Sequence, residues 1–336
     1  MPMSSQALST TAHTRAGRLT RSRAGTLRLA LALGAGLGAG LVFASPAVAA
    51  DDEVVFGVPA WPGITVKTEI ASQLLEPLGY TVETREIGLQ VIYQGMTTGD
   101  VDLFLGAWLP AQNPMLEPLE ADGSIQRLAT NVTGAQMTLA VPDYVYEDGV
   151  TSFADLDANR DAFDGEIYGF GAGSAASEIL NEAITADTWG LGDWTLVDTS
   201  TVGMLSAAKS AITNQDPIVW VGWTPHWMNL ELPMRYLEDD KNLFGEGNGE
   251  SDVRTLIASD YAEANPNLVS LFDQFSFSAE EQSWMIQQYG QESRGFEEVA
   301  SAWIESHPAR IEAMLEGVTT RDGDPAWPAV RDALSL

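Results

Sequence analysis

Residues 90–110 read QVIYQGMTTGDVDLFLGAWLP, and the change of period inside them decides the fold class. QVIYQGMTTGD has the apolar spacing of a helix and a glycine near its end. VDLFLG is a short apolar run of strand length. Upstream, TVETREI reads as a strand. Before it, Val66, Ile70, Leu74, Leu75 and Leu78 mark one helical face that Gly79 ends, and VVFGV reads as another strand. Downstream a second series begins near Met137. It runs MTLAVP, EIYGFG, a helix over Ser174–Ala186, WTLVD, a helix over Val202–Ile212, and PIVWVG. This alternation predicts two α/β units with mainly parallel sheets. From about Asn265 the chain reads as nearly all helical. EDDKNLFGEGNGESD is the longest polar, Gly-rich interruption.

The whole chain has 336 residues and is 45% hydrophobic, enough for two cores rather than one. It contains no cysteine, which excludes disulfides, thiolate catalysis, Cys-based zinc sites and a lipidated cysteine. Arg15, Arg18, Arg21, Arg23 and Arg28 precede the apolar run LALALGAGLGAGLVFA, and AVAA leads into Asp51. Residues 1–49 are therefore expected to be a signal peptide, cut after Ala49, and the protein to be exported. The competing reading is an uncleaved membrane anchor. This leader holds five of the 17 basic residues and none of the 47 acidic ones, so the remainder is more acidic than the whole-chain net charge of −30. Such a surface is soluble and repels nucleic acid and anionic membranes.

Three stretches echo one another: VVFGVPAWPG, LFLGAWLP and VWVGWTPH. In each, an apolar run meets a glycine, then a tryptophan, then a proline. Trp61, Trp108 and Trp223 thus follow the carboxyl ends of three buried strands, the edge where open α/β sheets bind ligands. The glycines would let the backbone come close to a ligand. Trp220, Trp189, Trp194, Trp284 and Trp303 are read as packing, and Trp227 as support for its loop. Three indoles suit a methylated ammonium, each contact contributing about 0.5–2 kcal/mol. Sugars also stack on tryptophan, so the rings alone leave both classes open.

In GFGAGSAASEIL, residues 169–180, a strand runs through glycines into a helix start whose free amides suit a carboxylate. An ordinary Gly-rich turn with Ser174 as N-cap explains the same residues. There is no P-loop lysine and no nucleophile elbow. Beyond the leader only His226 and His307 remain, so a His-rich metal site is excluded and no Ser-His-Asp motif exists. His226 is expected to orient the WTPHW loop, at the edge of the site.

The segments GDVDLFLGAWLP, GWTPHWMN and YAEANPNLVSLF resemble, in order, those of the glycine betaine/proline betaine- and choline-binding proteins of ABC importers. The resemblance implies an α/β, two-lobed clamp of the periplasmic-binding-protein type. Each lobe would be a mostly parallel sheet flanked by helices, with the ligand in the inter-lobe cleft. Residues 51–136 plus 255–336 would form one lobe and 137–254 the other. Trp61, Trp108 and Trp223 would form the aromatic box, and Gly173 and Ser174 the backbone pair at the ligand's polar end. Choline-binding relatives carry an acid at the place of Gly63, a tyrosine at Met137 and an asparagine at Ser174. Those departures favour glycine betaine, then proline betaine, over choline. The implied protein is a monomer without cofactor or metal, not an enzyme. It would capture an osmoprotectant and hand it to a membrane permease from the periplasm or the outer cell face. The alternative from another class is a secreted carbohydrate-binding or glycoside-hydrolysing protein.

Overall fold

The helix Pro62–Leu75 starts where the sequence punctuates it. Trp61 stands before it in extended backbone (φ −113°, ψ 122°), and Pro62 occupies the first turn, where a missing N–H costs nothing. After the short turn Glu76–Leu78, Gly79 takes the left-handed conformation at φ 92° and stops the chain from coiling further. Val66, Ile70, Leu74 and Leu75 are fully buried along this helix. The computed structural model describes residues 52–336; the signal peptide expected at residues 1–49 lies outside the described residues.

The strands are β1 (Glu53–Val58), β2 (Thr81–Glu86), β3 (Leu103–Leu109), β4 (Ile125–Pro142), β5 (Glu166–Phe170), β6 (Thr195–Thr199), β7 (Trp220–Thr224), β8 (Met234–Tyr236), β9 (Glu250–Ala258) and β10 (Phe277–Ser278). They form one mixed sheet in the order β2-β1-β3-β9-β4-β7-β5-β6, with β8 and β10 attached to β4. The alternating reading recovers the two parallel groups, β2-β1-β3 and β7-β5-β6. It misses what joins them. β4 pairs antiparallel with β9 over Ile125–Gln136 and then with β7 over Gln136–Ala140, while β9 also pairs antiparallel with β3.

The cause is visible in β4. Only its last third, the buried MTLAVP, has a strand signature. Its first two thirds contain several register shifts against β9, which break the alternation. β9 was hidden because it emerges directly from the polar loop, as ESDVRTLIA.

Two hydrophobic cores flank this pair of long strands. One draws on residues between Val54 and Leu128 and between Leu256 and Val330. The other draws on residues between Ala111 and Phe244, with Ile286. Trp61 is half-buried against both. Gln90, on the helix Leu89–Thr98, donates through Nε2 to Glu178 Oε1 on the helix Ala175–Thr185 at 2.7 Å, a direct bond across the cleft. Among the described residues no helix is long and apolar enough to cross a membrane.

Candidate binding site

The strand ends deliver their side chains to one cavity between the two cores. Trp108 is the penultimate residue of β3 and Trp223 that of β7, while Trp61 leads from β1 into its helix; all three line the cavity. Leu109–Pro110 and Thr224–Pro225 are both cis, so the two tryptophans sit in matching local settings. Met137, opposite Trp223 in the β4–β7 register, Ser174 and His226 line the same cavity. Gly173 does not. At φ 80° it faces an adjoining cleft beside Pro59–Trp61 and Glu86–Leu89.

The sequence did not single out Phe170, which completes the aromatic wall. Its ring centroid lies 4.6 Å from that of Trp223 and 6.3 Å from that of Trp61, edge-on to the latter. The signal was present, an aromatic directly after Gly169 at the end of EIYGF, but it is a phenylalanine and no proline follows it. Trp220 is fully buried and outside the cavity lining, and the Trp227 ring packs against His226 with centroids 5.1 Å apart and planes tilted by 39°. The three strand glycines differ. A Cβ at Gly57 would lie 2.9 Å from Ile92 and one at Gly222 would lie 2.8 Å from Tyr236, so these two admit neighbouring side chains. Gly106 lines the cavity itself.

The helix start at 174–176 has a specific division of labour. The Ser174 amide is spent on Gly171 O at 3.1 Å, and its Oγ accepts from Ser177 N at 3.2 Å as an N-cap. Ala175 and Ala176, the first two helical residues, have no carbonyl a turn before them within the helix, and both line the cavity. These two amides, next in the chain after Gly173 and Ser174, can serve an anion at the helix start.

His226 both orients its loop and lines the cavity. Its Nδ1 accepts the Met228 amide at 3.2 Å, so the neutral ring carries its proton on Nε2, which is buried without a partner. Burial pushes its pKa down to about 3, which keeps it neutral. Asn229 bridges the Trp223 carbonyl, at 2.7 Å, to the Tyr236 hydroxyl, also at 2.7 Å, and so holds the loop.

Lys67 is the second residue that sequence reading passed over. It occupies an inward position in the series Ile64, Lys67, Ala71, Leu74 and Leu78, whose spacing of three and four residues was itself the signal. Its Nζ donates to Asn131 Oδ1 at 2.6 Å, and burial lowers its pKa to about 7. Among the described lining residues Lys67 and His226 are the titratable ones, and no Asp or Glu is present. The arrangement can hold an apolar cation against ring faces and an anion against donors. Among the described residues no cluster of His, Asp and Glu has the spacing to hold a metal ion.

Residues 52–306 match the family described as the substrate binding domain of ABC-type glycine betaine transport system. A solved ABC-transporter choline binding protein in complex with choline is 32% identical with a TM-score of 0.82, covering 84% of this chain and 98% of that one. Lactococcal OpuAC in its closed-liganded conformation complexed with glycine betaine is 25% identical with a TM-score of 0.69, covering 79% of this chain and 99% of that one. The glycine betaine/carnitine transport binding protein GbuC of Listeria monocytogenes is 30% identical over 179 residues, 52% of this chain and 58% of that one.

Proposed function

The chain belongs to the family of substrate binding domains of ABC-type glycine betaine transport systems, and on that premise we propose that its cavity captures a zwitterionic quaternary ammonium, glycine betaine first and proline betaine next, for a membrane permease. The observation that supports this reading is the convergence of Trp61, Trp108 and Trp223, from three separate strand ends, with Phe170 on a cavity without an acidic side chain. A trimethylammonium has no hydrogen to donate and is satisfied by ring faces alone. The carboxylate would meet the Ala175 and Ala176 amides and His226 Nε2–H.

The lobes would divide as residues 51–136 plus 255–336 and 137–254, with the hinge in β4 and β9. Closure would expel water from the cage and make the Gln90–Glu178 bond. Outside the membrane, in the periplasm or on the outer face, the closed form would dock on the permease as a monomer. The family is one of transport, so the glycoside-hydrolysing alternative is set aside.

Choline is the second reading, favoured by the 32% identical relative solved with choline. Calorimetric titration of the mature protein with glycine betaine and then choline tests the choice. Micromolar betaine binding, on the order of −8 kcal/mol, with choline much weaker is expected. Tighter choline binding would keep the aromatic cage and discard the preference for a carboxylate.

A further inference from the structure

Lys67 is an unusual residue to find inside a chain this acidic. It is 2% exposed, on a helix that otherwise turns apolar side chains inward, and it lines the cavity. Among the described residues no carboxylate forms an ion pair with it, although the chain holds 47 acidic residues. Its one hydrogen-bond partner is fixed in place. Fully buried Asn131 spends its Nδ2 on Leu105 O at 3.1 Å and Thr255 Oγ1 at 2.9 Å, so its Oδ1 must face the lysine. An ammonium carries three donors, and only one is used. A buried cation held by one neutral amide, on a residue that lines a cavity, lacks a counter-ion that the described residues do not supply.

We propose that the missing counter-ion is the ligand's own carboxylate, so that Lys67 selects zwitterions over simple quaternary ammonium cations and couples their capture to uptake of a proton. This deepens the proposed betaine-binding function and rests on it. The same lysine would repel a ligand carrying only a positive charge. In the empty protein desolvation brings its pKa to about 7, so near neutral pH a fraction of molecules hold the neutral amine. Carboxylate binding restores the charged form and raises that pKa. Above about pH 7 betaine affinity should then fall roughly tenfold per pH unit, with uptake of on the order of one proton per ligand. The elements around the cavity present one other titratable side chain, His226, which stays neutral throughout this range.

The test is calorimetric titration at pH 6, 7, 8 and 9, in buffers of different ionisation enthalpy, with glycine betaine, choline and tetramethylammonium. Proton uptake and weakening with pH are expected for betaine alone. Lys67→Met should lose at least about 30-fold in betaine affinity and its pH dependence, while choline binds as before or more tightly. Asn131→Asp keeps the lysine but gives it an internal partner, and should weaken betaine and abolish proton uptake without loss of choline binding. Retained choline binding reports that each variant is folded. If tetramethylammonium binds but betaine takes up no proton and tolerates Lys67→Met within threefold, the lysine's role is overturned and the cage stands. If none of the three ligands binds the wild-type protein, both readings fall together.

Discussion

Replacing Trp108 with alanine separates the work of the cage from the work of the fold. Its indole is half-buried, packed against Val132, Ala135 and Val253 and against the core that holds Trp223, and it lines the cavity. Truncation removes one cation–π contact, about 1–2 kcal/mol in a desolvated site. At about 1.4 kcal/mol per tenfold, that predicts a loss of roughly 5- to 30-fold in betaine affinity, and more if water enters the gap. The cost to the fold should stay below the roughly 3–5 kcal/mol of a fully buried aromatic, because Trp108 is only half-buried. Trp108→Phe keeps a ring and should recover most of the affinity. Trp220→Leu is the control, since Trp220 is fully buried in β7 and outside the lining. It should lower the melting temperature and leave the dissociation constant unchanged. Calorimetric titration reads the affinity, and differential scanning calorimetry without ligand reads the stability. A Trp108→Ala protein that binds betaine within twofold of wild type would refute the cage.

Phe170→Leu should weaken betaine binding several-fold, because Trp223 loses the ring lying 4.6 Å away that fixes its own plane; equal affinity by calorimetry would make Phe170 a bystander. Gly63→Asp combined with Gln282→Ala, the second change clearing the Nε2 that would lie 2.7 Å from a new Cβ, should shift preference toward choline, measured as the ratio of the two dissociation constants. His226 contributes to acid sensitivity with a definite sign. Its pKa is about 3 folded against an ordinary 6.5, so between those values the unfolded chain binds the extra proton and stability falls as pH falls. His226→Gln should flatten that slope by up to about 1.4 kcal/mol per pH unit in urea titrations from pH 6.5 to 4.

The sequence by itself determined the elements whose signals are local. Period changes located β1–β3, β5–β7 and the helices between them, and the Trp-Pro echo marked the three strand ends that meet at the cavity. These signals are legible because strand burial, helix stripes and turn residues act over a few neighbours. The tertiary structure decided whatever depends on partners far along the chain. β4 and β9 merge two parallel groups into one sheet through a ladder whose register shifts erase any period. That the Ser174 amide turns back to Gly171, while Ala175 and Ala176 line the cavity beside it, is likewise set by the fold. Phe170 becomes a wall of the cavity only when Trp61 and Trp223 arrive beside it from other strands. Lys67 takes its setting from Asn131, 64 residues away, and from having no ion-pairing carboxylate among the described residues, since a charge's environment is a property of the folded neighbourhood and not of its position in the chain.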